Sequence, residues 1–312
     1  MIRALHLLDL PRISLSGIRK LPNQARPHKR LGLDKLALLD LLPMKYWVGM
    51  GKQRQTWIQT RSLKVQGLVS AKCAGGNSVW EIDYLLLSPE LMQEEMDLLY
   101  GLTLGAGRCG VDKLFLRLAA DSLCLDPIRD AGFCFYKKEY LYRLEKGEAR
   151  TSNKAAGAGQ LFHPVSSENE FGMFQLYNSV FPLHVREAEG QTLDEWREAR
   201  EERWRGPKAK EYVFLEEGSV VGWVSVGRRK KNGYFSLMLK PWSAVQPETL
   251  LDSIEGLMPR QSTLWCIASE FQTPFLQALE DRGYQMVQEY TKAVRNITAK
   301  VRRPSLVPIG AE

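Results

Sequence analysis

Apolar and β-branched residues along the chain fall into short runs divided by polar or Gly/Asn turns, and the order of these runs occurs twice. WIQTRSLKVQGLVSAKCAGGN at 57–77 aligns without a gap on YVFLEEGSVVGWVSVGRRKKN at 212–232. Gly67 falls on Gly222, Val69 on Val224, Ser70 on Ser225 and Asn77 on Asn232, at a constant offset of 155. Each copy predicts a strand, a tight polar turn (Arg61-Ser62 or Glu217-Gly218), a second strand, and a Gly/Asn turn into a third, VWEIDYLLLSP or YFSLMLKP. Short turns between β-rich runs predict an antiparallel meander.

Both copies then change to a helical period. Met92, Met96 and Leu99 recur at i, i+4 and i+7, as do Leu250, Ile254 and Leu257, the latter behind a Pro247 suited to the first helical position. A strand follows each helix (KLFLRLAAD at 113–121, TLWCIASE at 263–270), then a short helix and a last strand. The two endings, DAGFCFYKKEYLYRL at 130–144 and DRGYQMVQEYTKAVR at 281–295, share an acid, a glycine and an aromatic. Gly132 and Gly283 are predicted as left-handed helix caps, a conformation glycine takes without steric cost. Ahead of the second meander, EFGMFQLYNSVF places Phe174, Tyr177 and Phe181 at helical spacing as a core stripe, and DEWREAREERWRGP predicts a charged surface helix stopped by Gly206-Pro207. Gly105, Gly107 and Gly110 fit the dinucleotide fingerprint, but they follow a helix and precede a strand, the reverse of what that motif requires. They are expected to form a flexible helix-to-strand connection.

A length of 312 residues suits two domains, and 44% hydrophobic with 25% charged residues is a globular balance. The repeat sets the expected boundaries: a first domain at 1–147, a Gly/Ala-rich linker at 148–160, a second domain at 161–299 and a disordered tail at 300–312. No run is apolar for the roughly 20 residues that span a bilayer, and the N-terminus lacks the pattern of a signal peptide, so the cytoplasm is expected. The five cysteines form no C-x-x-C pair and the four histidines are scattered, so neither disulfides nor a metal site is expected. Charge is uneven: residues 1–72 carry 14 Lys and Arg against Asp9, Asp34 and Asp40, a net +11 within a chain total of +7. The densest part, IRKLPNQARPHKR at 18–30, makes nucleic acid a candidate partner through residues 18–72, with Arg26, Lys29 and Arg30 as phosphate contacts and Tyr46, Trp47 and Trp57 as the available aromatics.

The element order, closing on D-x-G-F/Y, resembles the GNAT superfamily of acyl-CoA-dependent N-acyltransferases, in a tandem form covering roughly 1–146 and 160–298. The resemblance implies an α/β fold: two GNAT-like domains, each a mixed, mostly antiparallel sheet flanked by helices. It implies that the fourth and fifth strands of each splay apart around acetyl-CoA or another acyl-CoA, with the pyrophosphate held by a glycine-bearing loop at a helix N-terminus. The stretches at that place are Leu86, Leu87 and Ser88, followed by Pro89 and Glu90, in the first half, and Leu239 and Lys240, followed by Trp242, in the second. Neither loop has a glycine. The family's tyrosine general acid is also missing, its positions being held by Ile128 and Leu279. Glu81 and Asp83, two apart on one strand and so on one face, are the candidate proton acceptors. The expected activity is acyl transfer to an unknown small-molecule or peptide amine, with the first half as the better candidate. The alternative is a catalytically inactive binding or regulatory protein that keeps the fold.

Overall fold

The computed structural model describes residues 1–27, 54–61, 64–73, 78–92, 97–145, 162–200 and 209–297. The expected linker and tail, Lys29, Arg30, Tyr46, Trp47 and Met96 lie outside the described residues. The strands are β1 (Ile2–Ala4), β2 (Arg54–Arg61), β3 (Lys64–Cys73), β4 (Val79–Leu87), β5 (Lys113–Ala119), β6 (Cys134–Glu145), β7 (His163–Pro164), β8 (Lys210–Glu216), β9 (Ser219–Arg229), β10 (Asn232–Leu239), β11 (Thr263–Ser269) and β12 (Gln285–Asn296). The α-helices are α1 (Leu10–Leu15), α2 (Asp97–Arg108), α3 (Leu125–Asp130), α4 (Glu170–Val180), α5 (Leu183–Glu189), α6 (Leu193–Arg200), α7 (Pro247–Gly256) and α8 (Thr273–Asp281).

All twelve strands form one sheet in the order β1-β2-β3-β4-β5-β12-β6-β11-β10-β9-β8-β7. The two halves thus exchange their last strands: β12 completes the first half against β5, and β6 completes the second against β11, with β6 and β12 antiparallel at the seam. Among the described residues, only β4/β5 and β10/β11 are parallel pairs.

The correspondence between the halves extends to irregularities. On β3 the register skips Gln66, and on β9 it skips Val221, positions 155 apart. Each skipped residue is a β-bulge, and its carbonyl accepts from the residue just past the third strand: Ser88 N–H to Gln66 and Lys240 N–H to Val221, both at 2.8 Å. The paired glycines next to the bulges are required by packing. A Cβ on Gly67 would lie 2.9 Å from Leu91 Cδ1, and one on Gly222 would lie 2.7 Å from the Phe214 ring. Gly132 and Gly283 take φ of 81° and 90°, as the corner pattern predicts.

Alternation assigns the two faces. Trp80, Leu114 and Leu116 join the core beneath α2 and α3; Phe235, Leu264 and Cys266 join the one beneath α7 and α8. The opposite face carries α4, α5 and α6 through Met173, Tyr177 and Trp196, with the N-terminal segment beside them through Ile13 and Ile18. Trp196 is fully buried in this core, so α6 is not purely a surface helix. The fingerprint-like glycines also differ from expectation: Gly105 and Gly107 lie inside α2, and only Gly110, at φ 80°, makes the turn to β5. Gly101 and Gly105 face β2, where a Cβ on Gly101 would come within 2.7 Å of Trp57, so small residues here allow close helix–sheet contact.

Candidate functional site

Each parallel pair is zipped at one end only. β4 and β5 match at Val79–Glu81 with Lys113–Phe115, and β10 and β11 at Asn232–Phe235 with Thr263–Cys266; beyond these points the strands part and leave a cleft.

The first cleft is filled by the chain itself. Asn23 donates from Nδ2 to the Asp83 carbonyl (2.9 Å) and accepts the Leu85 N–H on Oδ1 (2.8 Å). Gln24 N–H donates to Leu85 O (2.9 Å), Arg26 N–H donates to Arg117 O (2.8 Å), and Ala25 sinks into the core between them. Residues 23–26 therefore bridge β4 and β5 as an extra piece of backbone. Of the residues predicted for this half, Leu86 and Leu87 are buried in opposite cores. The Ser88 amide is used by Gln66, and Pro89 and Glu90 are exposed in a 3-10 turn. Glu81 is half-buried, while Asp83 is buried with both carboxylate oxygens on the Arg54 guanidinium at 2.9 and 2.6 Å, an ion pair that occupies both oxygens.

The second cleft has smaller occupants. Gln272, which precedes α8, reaches across it: Nε2 donates to Leu237 O on β10 (2.8 Å), and Oε1 accepts the Ser269 N–H on β11 (3.2 Å). At the mouth, before the N-terminus of α7, Glu216 Oε1 accepts from Ser243 Oγ (2.6 Å) and the Ala244 N–H (3.1 Å). Leu239 and Lys240 are half-buried at this mouth and Trp242 is exposed. Ile128 and Leu279 are fully buried core residues.

Beside the second cleft, on the α4–α6 face, lies a pocket with about 660 Å³ of empty space, part of it open to solvent. Its cleft side is Ser236, Ser269 and Gln272, and its apolar wall includes Phe181, Trp196, Trp223 and Met238. The far wall is a row of three cations: Arg117 on β5 stands directly opposite Lys292 on β12, which stands directly opposite Lys137 on β6. Two carboxylates serve them. Glu139 bonds Arg117 (2.8 Å) and Lys137 (2.9 Å); Glu189, at the end of α5, bonds Lys137 (3.0 Å) and Lys292 (3.2 Å) and accepts the Tyr136 hydroxyl (3.0 Å). Burial pushes the Glu139 carboxyl up, but Arg117, Lys137 and Lys292 outweigh it and hold Glu139 well below the usual range. Lys292 is pulled down to about 8, first by desolvation and then by Lys137, with Arg117 adding to the repulsion and Glu189 and Glu139 resisting it.

No family model and no curated protein sequence matches the chain. Solved structures do match. The GCN5-related N-acetyltransferase from Sphaerobacter thermophilus aligns at a TM-score of 0.53 with 12% identity, covering 96% of both chains. The fold is that of the GCN5-related N-acetyltransferases. A tandem GNAT protein from the clavulanic acid biosynthesis pathway covers 96% of this chain and 99% of its own at a TM-score of 0.48 and 12% identity, and the Saccharomyces cerevisiae N-myristoyltransferase covers 96% and 80% at 0.45 and 11%. Those two likenesses are weaker and the fold assignment rests on the first.

Placed on the GNAT fold, the two clefts are the paired splays that the sequence resemblance implies, and the pocket flanks the second. No helix among the described residues is long and apolar enough to cross a membrane. The pocket residues escape sequence reading because they come from β5, β6, β9, β10, β11, β12 and three helices or their ends, with no shared motif. One signal was available: Lys137 and Lys292 both lie inside the two conspicuous endings.

Proposed function

We propose that the protein is an acyl-CoA-dependent N-acyltransferase that works in its second half. The observation carrying this reading is the chemistry of the two occupants of the second cleft. The Gln272 carboxamide sits between the splayed strands, where an amide-bearing pantetheine arm would find the Leu237 carbonyl and Ser269 N–H. The Glu216 carboxylate sits on the Ala244 amide ahead of α7, where a pyrophosphate would find a donor. Each stands in for the matching part of the cofactor, amide for amide and anion for anion. The first cleft, by contrast, is closed by a stretch of main chain.

In this reading an acceptor amine in the pocket attacks the thioester carbonyl. The C–N bond forms, the C–S bond breaks with its electron pair going to sulfur, and the proton lost by nitrogen completes the thiol. Holding amine and thioester together supplies most of what such a step needs. The same occupants favour a second reading, a catalytically inactive GNAT-fold protein that binds small molecules in the pocket, because neither mouth has the glycine loop. Nucleic-acid binding through residues 18–72 remains a separate proposal; Arg26 is exposed, although its backbone is held by Arg117.

The test is a thermal-shift titration of the full chain with acetyl-CoA, repeated on Gln272→Ala and Glu216→Ala, with hydrogen exchange to locate the ligand. The transferase reading expects a shift that grows in both variants and protection at 236–246 rather than at 83–92. No shift at millimolar acetyl-CoA in any of the three proteins would leave the inactive reading.

A further inference from the structure

Three cations directly opposite one another on neighbouring strands are an unfavourable arrangement, since like charges across a ladder repel. Here the row is buried: Arg117 and Lys137 are 5% and 6% exposed and the Lys292 side chain 12%. The groups facing Lys292 are Arg117 from β5; Lys137, Glu139 and Tyr136 from β6; and Glu189 from α5. With three cations and two carboxylates charged, the cluster carries one positive charge in excess, and an uncompensated buried charge is costly. Both carboxylates are already shared, Glu139 between Arg117 and Lys137, and Glu189 between the two lysines. Each ammonium has three N–H donors. The open side of the row is the pocket, walled elsewhere by the rings of Phe181, Trp196 and Trp223.

We propose that this pocket is a binding site for a small molecule carrying a carboxylate on an apolar, ring-bearing body, the carboxylate lying against the Lys137–Lys292 row and the body against the aromatic wall. The ligand's charge neutralises the excess that the fold leaves buried. An amine on the same molecule would point toward Ser236, Ser269 and the second cleft, as in an apolar amino acid. As the acceptor of acyl transfer this molecule rests on the function proposed above; as a ligand it does not, because the pocket and its charge exist without the cofactor.

Calorimetric titration of the full chain, without acyl-CoA, tests it with two probes that share a phenylethyl body: 3-phenylpropionate, with the anion, and 2-phenylethylamine, with a cation in its place. The carboxylate is expected to bind at least about tenfold more tightly at pH 7, the scale of one charge-assisted contact. Its affinity should fall between pH 7 and 9.5 as Lys292 loses its proton, and should fall in Lys292→Met, or in Lys137→Met should the first variant not fold. Equal binding of the two probes, no binding of 3-phenylpropionate at 10 mM (roughly −2.7 kcal/mol on the usual scale), or a pH-independent affinity would overturn it. Binding of 3-phenylpropionate by a chain that ignores acetyl-CoA would sink the transferase reading and sustain the anion site. Acetylation of 2-phenylethylamine with no preference for a carboxylate would do the reverse.

Discussion

Asn23 and Gln272 play matching parts in the two clefts: each places a carboxamide between splayed strands, accepting a backbone N–H from one strand and donating to a backbone carbonyl. They differ in what comes with them. Asn23 belongs to a run whose main chain also bonds both sides of its cleft, whereas the Gln272 main chain bonds only the β11 side, its N–H donating to Ser269 O, and its side chain alone reaches β10.

Gln272→Ala should therefore open the second cleft at moderate cost. It leaves Leu237 O and Ser269 N–H without this partner, a loss of about 1–3 kcal/mol for buried polar groups. A lower melting temperature should be accompanied by a larger stabilisation from acetyl-CoA, read in the same thermal scan. Asn23→Ala should lower stability by a similar amount without creating a binding response.

Asp83→Asn and Glu81→Gln are expected to separate stability from turnover. Asp83 is held by Arg54 in a largely buried two-bond pair, so its loss should cost about 2–3 kcal/mol in chemical denaturation. Glu81→Gln should cost little. If the second cleft is the working one, neither variant changes kcat; a fall of an order of magnitude in either would move the chemistry to the first half.

The depressed Lys292 makes a pH prediction with a definite sign. Below about pH 8 the ammonium is protonated in both states, and folding carries the cost of burying it. Between that value and the ordinary lysine value, about 10.4, the unfolded chain holds more protons, so stability from this group rises with pH. The difference in denaturant midpoint between Lys292→Met and the parent should be largest at pH 7 and shrink by pH 10. A constant difference would mean that Lys292 titrates normally.

Gly222→Ala should be destabilising by about 1–3 kcal/mol through overpacking, because its Cβ would meet the Phe214 ring at 2.7 Å. Gly67→Ala meets Leu91 Cδ1 at 2.9 Å, the end of a flexible side chain, and should cost less. Denaturation midpoints of the two variants give the order directly.

Strands and corners were legible in the sequence because each is fixed locally: alternation gives β2–β4 and β8–β10, and a left-handed position demands glycine at Gly132 and Gly283. The correspondence of the halves was legible because Gly67 and Gly222, beside matching bulges, keep one offset where few other identities mark it. The exchange of β6 and β12 was not, since a last strand has the same sequence whether it pairs within its own half or with the other. That exchange also hid the pocket, whose cations face one another only once Lys292 is set between Arg117 and Lys137. The filled first cleft was equally invisible, because Asn23–Arg26 carries no pattern beyond a proline-rich, basic stretch.

The crossed final strands bind the halves into a single folding unit. β5 must wait for β12, synthesised some 170 residues later, and pairing over so long a separation is slow because the intervening chain must first be closed into a loop. Neither half, cut at the expected linker, would contain a complete sheet; each would expose the edge its partner strand should cover. In the present chain that cover comes from within one molecule, each half lending the other its last strand.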